Sequence, residues 1–433
     1  MSLPTRSLSL FDATSLIVGI IVGAGIYQMA PDVAKGVDGV WGLLGIWVLG
    51  GLLSLCGALC YAELATAYPE QGGDYVYLNR AYGDWAGFLF GWVQLVVVRP
   101  GDIAVMAFAF ATYAGAIADA ATGGASPVGP SVYAVIAVVV LTAINVIGVR
   151  QGAWTQNLLT VAKTAGLLLI VAAAFAGTTA PATAGVPADT VPFGLALIFV
   201  LFTYGGWNEM AYVAAEVRDP DRNIGRALVL GTLAVTVLYL LANGAFLVAL
   251  GHGGMAASTA VATDTVAAVL PEAAAVLVSA LICVSALGAV NGLVFTGARI
   301  SYALGRDHHP FARLGRWHPR LGTPVAALVV QGAIAVALIV ALGSFTGAVL
   351  YTAAAVYGFY LATTLAVIVL RRKDPQRPRA FRVPGYPVTP LVFAATCVLL
   401  IWSAIDYKPA ISLATAGLVL LGLPVWWWSR RHR

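Results

Sequence analysis

Two apolar stretches of this chain, each long enough to cross a bilayer, are interrupted by glycine. The first carries Gly23-Ala24-Gly25-Ile26 and the sixth carries Tyr204-Gly205-Gly206-Trp207. In hydrocarbon every backbone amide and carbonyl needs a partner, so a lipid-facing helix cannot simply unwind. Unwound backbone is tolerated only where protein buries it or where it lines a cavity, and there its free groups form a ligand site. Paired breaks at matching positions of two chain halves point to a secondary transporter. Glycine also lets membrane helices pack closely, which accounts for one isolated Gly-x-Gly. Two breaks, each first in a set of five spans, favour the site.

Composition supports the membrane setting. Of 433 residues, 60% are hydrophobic and 10% charged, more apolar surface than a soluble chain of this length keeps from water. About twelve spans follow from length and polarity: Leu10–Ala34 (broken), Trp41–Ala67, Trp85–Ala118, Val132–Val149, Leu158–Ala176, Phe193–Ala215 (broken), Ala227–Leu250, Ala273–Thr296, Pro324–Leu342, Thr346–Leu370, Val388–Ile405 and Ala410–Trp428. The first span lacks a small-residue cleavage site, so it reads as part of the fold and not as a signal peptide. Cys56, Cys60, Cys283 and Cys397 lie inside apolar runs without zinc spacing, and read as small core residues; no metal or other cofactor is expected.

Arginine sets the orientation. With the N-terminus inside, the cytoplasmic segments collect Arg6, Arg80, Arg150, Arg218, Arg222, Arg226, Arg299, Arg306, Arg313, Arg316, Arg320, the Arg371–Arg382 cluster and the Arg430–Arg433 tail, while the opposite face keeps Lys35 and Lys408. Both termini are therefore expected in the cytoplasm of a multi-pass inner-membrane protein. The net charge of +5 reads as an orientation signal with membrane lipid as partner, and not as nucleic-acid binding.

Five spans separate the breaks, and five is odd, so the second set enters the membrane from the other side. The expected architecture is an all-α membrane protein with a five-plus-five inverted repeat, LeuT-like, with broken helices 1 and 6. Residues 1–177 form the first repeat, 190–370 the second and inverted one, and 388–433 hold helices 11 and 12 with the tail. After Gly25 the helix restarts, so its free amides and positive dipole end favour a carboxylate. The first half of span 6 ends near Phe202–Tyr204, where free carbonyls favour an ammonium group. A carboxylate and an ammonium a short distance apart describe an α-amino acid, and a side chain at Gly25 or Gly205 should fill the space the ligand needs.

Val22-Gly23-Ala24-Gly25-Ile26-Tyr27, Tyr61-Ala62-Glu63-Leu64, Gly72-Gly73-Asp74-Tyr75-Val76-Tyr77-Leu78 and Val98-Arg99-Pro100 resemble the amino acid–polyamine–organocation (APC) superfamily. Phe202-Thr203-Tyr204-Gly205-Gly206-Trp207-Asn208, Asp219-Pro220-Asp221-Arg222-Asn223, Gly288-Ala289-Val290-Asn291-Gly292 and His318-Pro319 narrow this to the L-type amino-acid transporter light chains and their bacterial relatives. The resemblance implies the inverted-repeat fold and amino-acid transport, often by exchange. Ile21, Ala24, Gly25 and Ile26 match the unwound segment that holds the substrate carboxylate, although Ala24 replaces a usual serine. Phe202, Thr203 and Gly205 match the carbonyls that take the amine, and the Phe202 ring resembles an outer gate. Trp207 and Asn208 match the pocket floor. Lys163 stands where sodium-coupled relatives hold the cation, with Ser285 and the Gly19–Gly23 carbonyls as its partners, which implies sodium-independent transport. A lysine at that depth is costly unless used, though a snorkelling lysine is the plainer alternative.

Arg99 and Asp102 lie three apart on one face of span 3 and can neutralise each other. Asp102 nevertheless replaces a small polar residue that contacts the substrate side chain in relatives, so Val98 and Asp102 count as pocket candidates. Glu209 falls in the first turn after the second break, where the dipole favours a carboxylate. Glu63 reads as a structural carboxylate, and Arg371–Arg382 as a basic loop with little structure. Trp426-Trp427-Trp428 before Arg430 is an interfacial aromatic belt. The loop Asp119–Pro130 lacks the cysteine that bonds light chains to a glycoprotein, so no disulfide-linked heavy chain is expected and the chain reads as a monomer. All five histidines lie in loops or the tail, which argues against an enzyme. No charged stripe marks a channel. The expected cargo is a small to medium neutral amino acid; the alternative is a cationic amino acid or polyamine, proton-coupled, using Asp102 and Glu209.

Overall fold

Long apolar runs form helices here because only a helix pairs every backbone group within its own segment. The structure, a computed structural model, describes residues 9–69, 73–124, 128–147, 165–176, 190–212, 217–269 and 272–431. In chain order the helices are α1 (Leu10–Ile21), α2 (Gly25–Lys35), α3 (Gly39–Ala67), α4 (Asp74–Tyr82) and α5 (Asp84–Thr122). Next come α6 (Pro130–Ile147), α7 (Ala165–Ala176), α8 (Phe193–Thr203), α9 (Pro220–Ala257) and α10 (Val261–Ala267). The chain continues with α11 (Glu272–Asp307), α12 (Val325–Leu342), α13 (Phe345–Lys373), α14 (Val388–Tyr407) and α15 (Pro409–Arg431). Among the described residues nine of these are long and apolar enough to cross a membrane, and no sheet is present. The chain is a multi-pass, all-α membrane protein.

Two helices differ from the expected spans for local reasons. Pro100 has no amide to donate, and the turn before it widens into a π-helix over Gln94–Val98. The extra residue turns the face that α5 presents on either side of it. Span 7 runs on at both ends: Asp219, with φ of 46°, caps a helix that starts on Pro220, and α9 bends only at Gly251.

Helices approach closely where a side chain is missing. A Cβ on Gly231 of α9 would lie 2.6 Å from Cγ2 of Ile17 on α1, and one on Gly101 of α5 would lie 2.1 Å from Cγ2 of Thr352 on α13. Buried amides fasten the remaining helices. Asn145 on α6 donates to Asn291 Oδ1 on α11 at 2.7 Å, and Gln331 on α12 donates to the Val294 carbonyl at 3.3 Å. A packed frame thus surrounds two pairs of half-helices, α1 with α2, and α8 with the short 3-10 turn Trp207–Tyr212.

Candidate functional site at the paired helix breaks

The first break spans Val22–Ala24. Helix α1 ends at Ile21, α2 begins at Gly25, and Ala24 caps it with no side-chain hydrogen bond to the first amides. The opening N–H groups of a helix have no partner within it, so Gly25 and Ile26 present theirs at a positive dipole end. Ile21, Ala24, Gly25 and Ile26 are all buried.

The second break faces the first. An ideal Cβ on Gly25 would lie 3.5 Å from the Thr203 hydroxyl, so the two interruptions abut. Thr203 donates to the Phe199 carbonyl at 2.7 Å and reaches Met29 Sδ on α2 at 3.2 Å. The Phe202 carbonyl accepts the Gly205 amide at 2.9 Å, closing a tight turn, and Gly206 continues it with φ of 112°. An L side chain adopts that φ only under strain.

One residue that the sequence reading missed joins both breaks. The Tyr239 hydroxyl, on α9, lies 2.9 Å from the Ile21 carbonyl and 3.0 Å from the Thr203 carbonyl. Aromatic neighbours hold it: Tyr239 packs edge-on to Tyr204 at 5.2 Å and to Trp47 at 5.7 Å, and the Tyr204 hydroxyl donates to the Trp47 carbonyl. The only hint in the sequence is a tyrosine inside an apolar run, whose buried hydroxyl must find a partner.

Around Ala24 the packing selects particular side chains. Ala109 of α5 and Ala286 of α11 form a fully buried patch with it, rimmed by Met106, Phe110 and Phe345. Ser285 is buried on α11 beside Ala286. Val98 packs elsewhere, with Val93, Val97, Tyr351 and Ala355. Val97 and Val98 lie in the π-turn and pack toward α13, while Met106 and Ala109 farther along α5 face the break. Asp102 is half-buried between these stretches, and Arg99 is buried with its Nε donating to Gln94 Oε1 at 3.1 Å. Lys163 lies outside the described residues, and the side chain of Glu209 is likewise not described.

Trp207 and Asn208 sit below the second break in an aromatic stack toward the arginine-rich face. Trp207 meets Tyr61 at 5.0 Å, Tyr360 at 5.3 Å and Phe393 at 5.9 Å, and Asn208 Oδ1 accepts the Tyr360 hydroxyl at 2.9 Å. Asp74 accepts the hydroxyls of Tyr61 and Thr363 just beyond. Farther out, the buried Glu63 carboxylate takes Arg371 Nε at 2.7 Å, Arg371 Nη2 at 2.5 Å and the Val383 amide at 2.8 Å, with Arg379 Nε at 3.5 Å. The structural role read for Glu63 fits this geometry. The basic loop read as having little structure is pinned by it, and Arg377 adds a bond to the Ala67 carbonyl. Burial pushes the Tyr82 phenol up to about 12. Burial and the neighbouring Asp374 carboxylate raise that of Tyr68.

Fold and site together define a membrane carrier with two interrupted helices meeting at its centre. Comparison with known proteins makes this specific. The profile of the amino acid permease family matches residues 8–424, and the chain belongs to that family. It is 32% identical to the serine/threonine exchanger SteT of Bacillus subtilis (strain 168), over 99% of this chain and 98% of that one. It is 31% identical to b(0,+)-type amino acid transporter 1 of Mus musculus, over 98% and 90% of the two chains. Large neutral amino acids transporter small subunit 2 of Homo sapiens is 30% identical, with 97% and 80% covered. Among solved structures, Mhp1, a nucleobase-cation-symport-1 family transporter in a closed conformation with bromovinylhydantoin bound, aligns over 95% of both chains. Its TM-score is 0.57 at 13% identity, a likeness of fold alone. The chain is a transporter of this family and not an enzyme.

Proposed function

We propose that the chain carries small to medium neutral L-amino acids across the membrane by alternating access, exchanging one for another without sodium. The observation behind this reading is the abutment of the two breaks. Uncapped amides at Gly25 and Ile26 suit a carboxylate, and the carbonyl end at Phe202–Thr203 suits an ammonium, within one side chain's reach of each other. The Ala24–Ala109–Ala286 patch rimmed by Met106, Phe110 and Phe345 is apolar and suits a neutral side chain. The serine/threonine exchanger and the neutral transporter among its relatives support the same cargo. Breaks five spans apart favour an inverted repeat, and the arginine asymmetry favours cytoplasmic termini in an inner membrane. A half-buried Asp102 on α5 supports a second reading, a cationic amino acid or polyamine as cargo.

Lys163 serves in this proposal as a built-in cation bracing span 5 against the first break. Uptake into proteoliposomes tests the whole reading, with neutral, cationic and diamine substrates, with and without internal amino acid. Alanine, serine or leucine should enter against internal amino acid at equal rates in sodium, potassium or choline, and Lys163→Ala should abolish uptake. A steep sodium dependence overturns the role of Lys163. Uptake confined to arginine or putrescine transfers the site to the cationic reading.

A further inference from the structure

Arg299, on α11 near the arginine-rich face, is half-buried. Its Nη1 donates to the Phe295 carbonyl of its own helix at 2.5 Å, and its guanidinium lies 3.4 Å over the Phe295 ring. Among the described residues no acidic side chain pairs with it. A guanidinium carries five N–H donors in a planar fork, suited to two oxygens of one anion. Arg299 lies just past Thr296, where the span ends, and at a membrane surface a guanidinium without a carboxylate partner attracts an anion from outside the chain.

The surroundings say which anion. Arg299 lines a small surface cleft between α6, α11 and α12 with Asn145, Phe295, Thr323 and Leu328. Exposed apolar side chains, Ile147 at 60% and Val329 at 51%, flank it on the helices that form it. The connection from His308 to Pro324 borders it on the polar side. That segment contains Arg313, Arg316 and Arg320 and no Asp or Glu. Trp317 there is 42% exposed and packs edge-on to Tyr302 at 5.3 Å, an interfacial aromatic anchor. An anion that uses both flanks has a charged head and apolar tails, and basic clefts between helix ends are where such headgroups bind.

We propose that this cleft binds the headgroup phosphate of an anionic phospholipid such as phosphatidylglycerol. Arg299 is its counter-charge, the Thr323 hydroxyl lies at its rim, and the acyl chains run along Ile147 and Val329. A zwitterionic headgroup brings a cationic ammonium that finds three arginines and no carboxylate in the bordering connection, so selection is for net negative lipid. Placement in the inner leaflet rests on the orientation proposed above; the binding itself does not.

The test uses the purified full chain in detergent, followed by native mass spectrometry and thermal unfolding. Phosphatidylglycerol, phosphatidylcholine or inorganic phosphate is added in separate arms. Wild type should retain phosphatidylglycerol and unfold at a higher temperature with it, and should respond to neither phosphatidylcholine nor phosphate. Arg299→Gln should cut that retention roughly tenfold, about the loss of one charge-assisted contact, while Arg372→Gln on exposed α13 surface leaves it unchanged. Should Arg299→Gln not fold, Arg299→Lys, which keeps the charge and loses the planar fork, should show a smaller loss of retention in the same direction. Equal retention of both lipids, undiminished retention in the variants, or equal stabilisation by inorganic phosphate overturns the proposal. Because the readout is lipid retention and not uptake, its failure leaves the substrate reading standing.

Discussion

At the first break the chain leaves its helix for three residues and resumes with ordinary dihedrals, Ala24 at φ of −67°. At the second it turns sharply, with the Gly205 amide folded back on the Phe202 carbonyl and Gly206 at φ of 112°. A Cβ on Gly23 would come no nearer than 3.8 Å to a neighbour, and one on Gly25 would make ordinary contact at 3.5 Å with Thr203. A Cβ on Gly205 would press to 2.9 Å on backbone oxygen. The first break is glycine-rich for room, the second for shape. Glycine in a membrane helix therefore carries two separate meanings, and only the first leaves space beside the backbone for something to enter.

The largest expected effect follows from room. Gly25→Leu should abolish substrate-induced thermal stabilisation and uptake while the protein stays folded, because the side chain fills the space against Thr203. Gly23→Ala should be silent in the same assays. Wild-type affinity in a folded Gly25→Leu protein breaks the distinction. Next comes shape. Gly206→Ala forces a side chain into a strained φ at roughly 1–3 kcal/mol, and should lower the unfolding midpoint with or without substrate. A Cβ on Gly205 presses on the Phe202 carbonyl oxygen, so Gly205→Leu is expected to lower the unfolding midpoint as well as remove binding. Tyr239→Phe probes what the breaks share. The hydroxyl holds the Ile21 and Thr203 carbonyls together across the two breaks, a contact worth about 1–3 kcal/mol, so without it the site loosens and substrate affinity should fall roughly tenfold. An affinity change below twofold would separate Tyr239 from the site. The smallest effect is expected from Asp102→Asn, which should leave the order of alanine, serine and leucine over arginine unchanged in competition binding.

Both break positions are legible in the sequence because a bilayer leaves glycine few roles within a long apolar run. The side-chain surroundings are not. Val98 reads as a pocket candidate from its motif, and the sequence does not announce the π-turn at Gln94–Val98 in which it packs with Val93, Val97, Tyr351 and Ala355. Motif puts Trp207 and Asn208 at the pocket floor, but not the aromatic stack that Trp207 joins, whose other members come from α3, α13 and α14. Glu63 meets Arg371 across 308 positions of chain, a pairing that no local pattern announces. Tyr239 is hidden for the same reason, since its two carbonyl partners lie 218 and 36 residues away.

A phenol has a single hydrogen to give, and Tyr239 has two carbonyls in reach of it, those of Ile21 and Thr203. At any instant one of these carbonyls lacks that donor. In the proposed cycle an arriving ammonium group would bring three hydrogens to this place, and the amine of a cargo molecule would be counted before its side chain is felt. Methylating that amine removes hydrogens one at a time, and affinity should decline stepwise with each methyl while the shape of the side chain stays the same.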